Sequence, residues 1–359
     1  MYKYYVPFFI ALVISYIATP FAKKFAYKLG AIDIPKDGRR VHKKPIPRLG
    51  GLAIYFSTVI CLVVFVFLGE ITMDKELMAI ILGGTIITLT GIIDDIKPMS
   101  AKTKLFLQIL AAMVVVFGGI KITFINDPFE SGYATLSLNG FSIPITVIWI
   151  VGITNTLNLI DGLDGLAAGV AGIASMSMLF VASGFVGIDP IYTVVMTMAA
   201  IVAGAALGFL PHNFNPAKIF MGDTGSLFLG YMLAVMSIRG VMKSVTAVSV
   251  ILPVIILGLP IFDTACAILR RLIKRRPIME ADKGHLHHRL LERGLSQRQT
   301  VLILYVISIG LGMLAVKLSG MEPNMSLTVL GIIFIPTALL MTQMSVNDIN
   351  NEKHLKNKR

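Results

Sequence analysis

The sequence is poor in cysteine and in charged residues. Its two cysteines, Cys61 and Cys266, lie in separate apolar runs, which excludes a disulfide framework and a CxxC metal site. Only 14% of the residues are charged, against about a quarter in a typical soluble domain. Together with 55% hydrophobic residues and a mean hydropathy of +0.80, this shortage predicts an integral membrane protein.

Alternating strand patterns are also missing, which argues against a membrane barrel. The apolar residues instead form runs near twenty residues long, each enough to cross about 30 Å of hydrocarbon as a helix. The predicted fold class is therefore all-α, a polytopic integral membrane helical bundle of about eleven transmembrane helices. The predicted spans are 4–22, 49–69, 77–93, 104–120, 143–160, 165–185, 190–210, 225–238, 246–268, 300–318 and 326–344.

The distribution of basic residues predicts the orientation of the bundle. Lys23, Lys24 and Lys28 follow the first apolar run, whereas only Lys3 precedes it, the reverse of the charge order in a cleavable signal. With the N-terminus outside and the C-terminus cytoplasmic, only six of the 32 lysines and arginines face outward, as the positive-inside rule requires.

The same topology explains most of the net charge of +12, so the charge is no evidence for nucleic-acid binding, and none is expected. The sequence contains no internal repeat and no soluble segment of domain size. We therefore predict one integral membrane domain over residues 1–359, with a short basic cytoplasmic tail at 345–359.

Four polar clusters fall at the predicted cytoplasmic ends of the spans: 94–95, 155–164, 213–223 and 285–289. Clusters scattered at random over eleven spans would seldom share one membrane face. We therefore expect a single composite site at the cytoplasmic face.

Two acidic pairs are candidate catalytic residues. Asp94 and Asp95 end an apolar helix, where adjacent carboxylates suit base or metal chemistry, although interfacial acids at a solvated helix end are an equally good interpretation. Asp161 and Asp164 are three residues apart, on one face if the segment is helical. A helix cap and turn explains one of that pair but not both.

Asp223 follows a polar segment that begins at Asn213 and lies just before the eighth apolar run. It can cap that helix, or it can hold Mg²⁺, which typically uses one or two carboxylates together with substrate phosphates. The metal interpretation is favoured.

Two clusters of basic residues are the remaining candidates for the site. His285, His287, His288 and Arg289 can donate hydrogen bonds to a diphosphate or ligate a softer metal such as zinc, and a merely solvated loop is the alternative. Because no cysteine lies nearby and the other clusters are rich in oxygen, phosphate binding with Mg²⁺ is favoured. Lys43 and Arg48 belong to a glycine-containing basic segment on the same face.

Five motifs in this order resemble the polyprenyl-phosphate N-acetylhexosamine-1-phosphate transferases, and the resemblance covers nearly the whole chain. They are Pro47-Arg-Leu-Gly-Gly51, Gly91-Ile-Ile-Asp-Asp95, Asn158-Leu-Ile-Asp-Gly-Leu-Asp-Gly165, Phe220-Met-Gly-Asp-Thr-Gly-Ser226 and His285-Leu-His-His-Arg289. The resemblance implies that a polyprenyl phosphate attacks the β-phosphorus of a UDP-N-acetylhexosamine, with Mg²⁺ as cofactor or Mn²⁺ in its place, and that UMP leaves.

The resemblance also implies roles for individual residues. Asp94 deprotonates or orients the lipid phosphate, Asp95 supports it, and Asp223 holds the metal. The positions expected near the nucleoside and the diphosphate are Asn158, Asp161, Asp164, Asn213 and Phe220, with Lys104 at the uracil and Lys43, Arg48, His285, His287, His288 and Arg289 at the phosphates. A two-step route through a covalent aspartyl intermediate stays open.

The sugar is expected to be N-acetylglucosamine. The branch that uses UDP-MurNAc-pentapeptide typically has three consecutive histidines, whereas this chain has His-Leu-His-His before Arg289. The resemblance implies an undecaprenyl phosphate acceptor, the bacterial plasma membrane and a pathway of cell-envelope glycans such as teichoic acid or lipopolysaccharide.

Two alternative functions stay open. One is the muramoyl-pentapeptide branch of the same family, and the other, from a different class of protein, is an ion-coupled transporter. The chain can also form a homodimer. Asp263 is not assigned to the site, because Arg270 and Arg271 offer it structural partners.

Overall fold

The computed structural model describes residues 5–34, 45–126, 135–185, 189–241, 251–274 and 284–320. This part of the chain is mostly helical, as the sequence predicts. The helices are α1 (Tyr5–Leu29), α2 (Gly51–Phe67), α3 (Lys75–Ile96), α4 (Ala101–Gly118), α5 (Ser142–Ile160), α6 (Leu166–Ser183), α7 (Pro190–Asn213), α8 (Gly222–Met236), α9 (Ile251–Ile256), α10 (Gly258–Ile273), α11 (Leu286–Glu292) and α12 (Gln297–Leu318).

Seven stretches of the described chain are helical, long and apolar enough to cross a bilayer, which makes the protein a multi-pass membrane protein. They comprise α1, α3, α4, α5 with the short helical turn before it, α6, α7 and α12. The apolar helix α2 is one residue shorter than the shortest of them. The span predicted at 326–344 lies outside the described residues, so the number of eleven spans and the orientation of the termini stay predictions.

The span predicted at 246–268 is not one continuous helix. Its residues 246–250 lie outside the described part, and the remainder is divided at Leu257 into α9 and α10. Pro260 explains the break, because proline lacks the N–H that would bond to the carbonyl of Ile256 four residues earlier. Helix α10 holds Asp263 against the start of α11.

Helix α8 lies at the centre of the bundle and packs against α2, α3, α5, α6 and α7. From Thr224 to Met236 every residue of this helix is buried. Because its neighbours enclose it, α8 has only its N-terminal turn near open space. That turn contains Asp223.

The polar clusters of the sequence meet at one end of this bundle. Helices α1, α3, α5 and α7 end there, and α2, α4, α6 and α8 begin there, as the hydrogen bonds that join these termini establish. The one-face arrangement of the clusters is therefore confirmed in the described residues. Which membrane face this end occupies stays a prediction.

Two small antiparallel ribbons were not predicted. Strand β1 (Ile32–Asp33) pairs with β2 (Ile46–Pro47), and β3 (Phe124–Asn126) pairs with β4 (Thr135–Ser137). Strands of two or three residues are too short to show a period-two pattern, which explains why the sequence gives no signal for them. The first ribbon holds Asp33 and Arg48 at the polar end of the bundle.

Candidate functional site

Asp95 anchors the N-terminus of α8 to the end of α3. One of its carboxylate oxygens accepts the N–H of Asp223 at 3.0 Å, and the other accepts the N–H and the hydroxyl of Thr224 at 3.0 and 2.7 Å. The first N–H groups of a helix have no partner within the helix, and a negative charge is favourable beside them. Asp95 is buried, with the Nε of Arg48 at 3.7 Å from its Oδ1, so its lone pairs are largely occupied within the protein.

Glycines allow this close approach of α3 to α8. A Cβ atom at Gly91 would overlap the backbone of Thr224, and one at Gly222, whose φ is +69°, would overlap the carboxylate of Asp95. The Gly-Gly motif before α2 adds backbone bonds from Gly50 N to Phe220 O and from Gly51 N to Met221 O, both 2.9 Å. Three of the five sequence motifs thus form one interlocked unit around the start of α8.

Asp223, held in this way, faces a second carboxylate across a lysine. The ammonium group of Lys104 on α4 contacts the carboxylate of Asp223 and lies 3.6 Å from Oδ2 of Asp94. Asn158 donates a hydrogen bond to the other oxygen of Asp223 at 3.0 Å. Oδ1 of Asp94 accepts the N–H of Met99 at 2.7 Å, which leaves Oδ2 as the oxygen of Asp94 that faces Lys104.

The two aspartates of the motif at 158–165 are in different surroundings. Asp164 accepts hydrogen bonds from Asn215 Nδ2 at 2.9 Å and from Ala217 N at 3.0 Å, which ties this loop to the segment after α7. Asp161 caps the C-terminus of α5 and lines the cavity, and no residue in the described ranges donates a hydrogen bond to its carboxylate. Burial, with a further contribution from the negative charge of Asp95, raises the pKa of Asp161 to about 7.

Asn213 connects the same two segments through its side chain. Its Oδ1 accepts the N–H of Gly165 and its Nδ2 donates to the carbonyl of Ile219, both at 3.0 Å. The residue is only 2% exposed. Its amide therefore fixes the loops around the cavity, although part of it forms the cavity wall.

A cavity of about 340 Å³ opens beside Asp223, at the lower end of the size range of small-molecule sites. Its wall contains eight residues that were predicted for the site and five that were not. The predicted ones are Arg48, Asn158, Asp161, Asp164, Asn213, Phe220, Asp223 and His288, and the additional ones are Asp33, Gly162, Leu163, Gly222 and Gln297. Most of the predicted site residues are thus brought together in space.

The histidine motif contributes unequally to this cavity. His288 lines it, whereas His285, His287 and Arg289 are buried and do not belong to the described wall. The rings of His285 and His287 stack at 5.8 Å, and those of His287 and His288 are 4.3 Å apart. Burial, together with the neighbouring His288, lowers the pKa of His287 to about 3, so this imidazole is neutral at physiological pH. Lys43 lies outside the described residues.

Sequence reasoning missed several residues at this site. Asp33 and Gln297 belong to no motif, and only the β1–β2 ribbon and the start of α12 bring them to the cavity. Asp263 was set aside, yet its carboxylate accepts the N–H of Leu286 and bonds to the ring of His285. A buried acid among apolar residues near a histidine motif is the signal that could have identified it.

The site fits Mg²⁺ better than a metal enclosed by protein ligands alone. No group of three or more His, Cys, Asp and Glu side chains in the described ranges is placed to hold a metal ion. Asp94 and Asp223 nevertheless share one cation, the ammonium of Lys104, so two carboxylates already converge on positive charge. One or two carboxylates plus substrate phosphates are the ligand set that Mg²⁺ typically uses.

Comparisons with known proteins agree with the sequence motifs. Residues 77–241 match the model of glycosyl transferase family 4. The chain is 42% identical over 355 residues to a probable undecaprenyl-phosphate N-acetylglucosaminyl 1-phosphate transferase of Bacillus subtilis, covering 98% of this chain and 94% of that one. It is 37% identical over 315 residues to a decaprenyl-phosphate N-acetylglucosaminephosphotransferase of Mycobacterium tuberculosis, with 82% and 78% coverage.

A relative with a different sugar in its name is more distant. The phospho-N-acetylmuramoyl-pentapeptide-transferase of Halalkalibacterium halodurans is 32% identical over 325 residues, which cover 87% of this chain and 94% of that protein. Relatives named for both activities thus match this chain, and of these three the two N-acetylglucosamine proteins are the more identical.

Proposed function

The chain belongs to glycosyl transferase family 4, and we propose that it transfers N-acetylglucosamine 1-phosphate from UDP-N-acetylglucosamine to undecaprenyl phosphate. The products are undecaprenyl-diphospho-N-acetylglucosamine and UMP. The reaction takes place at the cytoplasmic face of the bacterial plasma membrane, as the first membrane step of a cell-envelope glycan pathway. The excess of basic residues at this end of the bundle supports the assignment of the face.

The convergence of Asp94, Lys104 and Asp223 at the start of α8 carries this proposal. Phosphoryl transfer depends mainly on positioning and on neutralising the charge of phosphate oxygens. A lysine between two carboxylates, next to a cavity whose wall includes Arg48, Asn158 and His288, provides both. The contacts of Lys104 favour a role at the phosphates over the uracil role that the resemblance implies.

Asp94 is the base in this proposal. Its Oδ2 is not held by a backbone N–H, so it can accept a proton from the lipid phosphate or orient that group. The phosphate oxygen then attacks the β-phosphorus, and the bond from that phosphorus to the bridging oxygen of UMP breaks. Asp95 and Asp164 are positioning residues, since their oxygens already accept hydrogen bonds from α8 and from the segment after α7.

Mg²⁺ is the proposed cofactor, held by Asp223, and Mn²⁺ can replace it. When bound, the ion neutralises charge on the diphosphate of the donor. Asn158 orients Asp223 through its hydrogen bond at 3.0 Å. Phe220 is half-buried in the cavity wall, where its ring can stack on the uracil, and the open carboxylate of Asp161 can accept hydrogen bonds from the donor.

The choice of N-acetylglucosamine is supported by two relatives named for that sugar, which are 42% and 37% identical to this chain. The muramoyl-pentapeptide donor is the second candidate, because a relative named for it covers most of this chain at 32% identity.

Radiolabel transfer tests the proposal. Purified protein in detergent receives undecaprenyl phosphate and either labelled UDP-N-acetylglucosamine or labelled UDP-MurNAc-pentapeptide. We expect lipid labelling and stoichiometric UMP release only with the first donor, loss of both with EDTA, and recovery with Mg²⁺ or Mn²⁺. Labelling only from the muramoyl donor would assign the protein to the other branch.

Two further outcomes of this assay would distinguish the reaction route and the class of protein. Exchange of labelled UMP into UDP-N-acetylglucosamine without lipid phosphate would indicate the two-step route through an aspartyl intermediate. Absence of transfer from either donor by folded, lipid-supplemented protein would contradict an enzymatic role, and proteoliposome uptake would then test transport.

A further inference from the structure

Asp263 is a buried acid on α10 that no part of the proposed reaction uses. It is 4% exposed, and both of its carboxylate oxygens are directed at the start of α11. Oδ1 accepts the N–H of Leu286 at 2.7 Å, and Oδ2 lies 2.8 Å from Nδ1 of His285. A carboxylate buried in an apolar bundle is costly unless its hydrogen bonds are made, so these two bonds account for its presence there.

We infer that Asp263 is a positioning residue that sets the histidine segment against the donor cavity and so determines the affinity for the nucleotide sugar. This inference rests on the proposed function, because the nucleotide sugar is the ligand whose affinity it concerns. It assigns no chemical step to Asp263. It says that the residue acts through His285, His287 and His288.

Helix α11 depends on Asp263 for its N-terminal cap. His285 occupies the cap position with an extended backbone, but its own side chain makes no capping bond. A helix of seven residues is too short to be stable by itself. The carboxylate from α10 supplies the missing acceptor, so the place where α11 begins is determined by α10.

The same carboxylate orients the ring of His285. A carboxylate only accepts hydrogen bonds, so Nδ1 of His285 carries the proton that is donated to Asp263. The plane of the ring is then fixed. His287 lies against it in a parallel stack, with an angle of 7° between the rings.

The stacked rings of His285 and His287 are connected to the cavity through Gly162 and His288. A Cβ atom at Gly162 would lie 2.5 Å from Nε2 of His287, so the imidazole packs directly on the loop that carries Asp161 and Asp164. The next ring, His288, is a wall residue of the cavity, as is Gly162. A shift of His285 would therefore move His288 in the cavity wall and the adjacent loop that carries Asp161 and Asp164.

Replacement of Asp263 by Asn tests the inference. Asn keeps an oxygen for Leu286 N but loses the negative charge and one of the two acceptors. We expect the KM for UDP-N-acetylglucosamine to rise about 10-fold or more, a loss of the size of one hydrogen bond to a charged group. The KM for undecaprenyl phosphate should stay within about two-fold, since its proposed base, Asp94, lies on α3.

A double-mutant cycle with His285→Gln identifies the path of the effect. If Asp263 acts through His285, the double variant Asp263→Asn/His285→Gln will raise the donor KM little more than either single variant. Leu269→Ala is the control, because Leu269 lies on the same helix, is 49% exposed and is outside the site. It should leave both KM values unchanged.

Hydrogen exchange provides a readout that needs no turnover. Asp263→Asn should speed exchange in residues 285–292, and Leu269→Ala should not. Unchanged exchange and an unchanged donor KM would overturn the inference, as would equal increases in both KM values or additive effects in the cycle. If the wild type transfers no sugar from either donor, the proposed function fails, while the exchange measurement still decides whether Asp263 positions α11.

Discussion

The carboxylate of Asp95 accepts two hydrogen bonds from Thr224, one from its backbone N–H at 3.0 Å and one from its hydroxyl at 2.7 Å. This pair joins the end of α3 to the start of α8. Its neighbour Asp94 makes no such contact with α8 and instead faces Lys104. Asp94 and Asp95 are adjacent in one motif, yet their carboxylates have different roles. Single substitutions can separate the effects of the two residues on activity and on stability.

The substitutions Asp94→Asn and Asp95→Asn should therefore affect different properties: catalysis in the first case and stability in the second. We expect Asp94→Asn to melt like the wild type and to lose at least about 100-fold in kcat, the contribution typical of a general base. Asp95→Asn should lower the free energy of unfolding by about 1–3 kcal/mol, because a buried donor on α8 loses its acceptor. Thermal melts in detergent and transfer assays on the same preparations check both. Equal melting temperatures for the two variants would contradict the division of roles.

Lys104→Gln should strengthen the binding of divalent cations while it weakens turnover. The ammonium of Lys104 lies beside the carboxylates of Asp94 and Asp223, where it opposes the approach of another cation. Its removal should lower the Kd for Mn²⁺ in the absence of substrate, measured by the loss of the free Mn²⁺ signal in electron paramagnetic resonance. Lys102→Gln, an exposed position on the same helix, is the matched control. Weaker Mn²⁺ binding by Lys104→Gln would argue against a metal site at these carboxylates.

Gly91→Ala should separate α3 from α8 at the site. The added Cβ would overlap the backbone of Thr224, which cannot yield as a flexible side chain would. We expect a loss of about 1–3 kcal/mol in stability, as for other overpacked positions, together with a drop in transfer activity because Asp223 moves. Gly152→Ala, at a helical position where a Cβ meets no atom within 4 Å, should be neutral or slightly stabilising. Activity of Gly91→Ala at the wild-type level would mean that the close approach is not required.

The stability of the metal-free protein should depend on pH through Asp161. The pKa of this carboxyl group is about 7 in the folded protein, against about 3.9 for an unperturbed aspartate. Between these values the folded state binds more protons than the unfolded chain, so stability falls as the pH rises from about 4 to about 7 and levels off above. Melting temperatures measured in EDTA should show a smaller decline for Asp161→Asn than for the wild type. Parallel curves would indicate that Asp161 titrates normally.

Much of the site could be predicted from the sequence because its motifs are local and polar in an apolar chain. Asp161, Asp164 and Asp223 are conspicuous for that reason, and all three line the cavity. What each carboxylate does could not be predicted, since it depends on donors from distant segments. Asp164, for example, is held by Asn215 and Ala217, about fifty residues away.

The separate roles of the histidines at 285–288 could not be predicted from the sequence either. The sequence presents His285, His287 and His288 as equivalent imidazoles, whereas the fold buries two of them and leaves the third in the cavity wall. Arg270 and Arg271, seven and eight residues along the same helix, give Asp263 a structural interpretation in the sequence. Its partner His285 comes from another segment, which no spacing rule on α10 could have identified.

The sequence by itself determined that this protein is a helical membrane protein of glycosyl transferase family 4, with its polar motifs at one end of the bundle. Hydropathy and charge suffice for the membrane helices and for the common end of the motifs, because the bilayer requires long apolar helices. The family follows from the resemblance of the contiguous motifs. Only the tertiary structure decided which acids face the cavity and which hold the helices together. The reason is physical: the role of a carboxylate depends on which donors occupy its oxygens, and here those donors come from segments brought together by packing around α8.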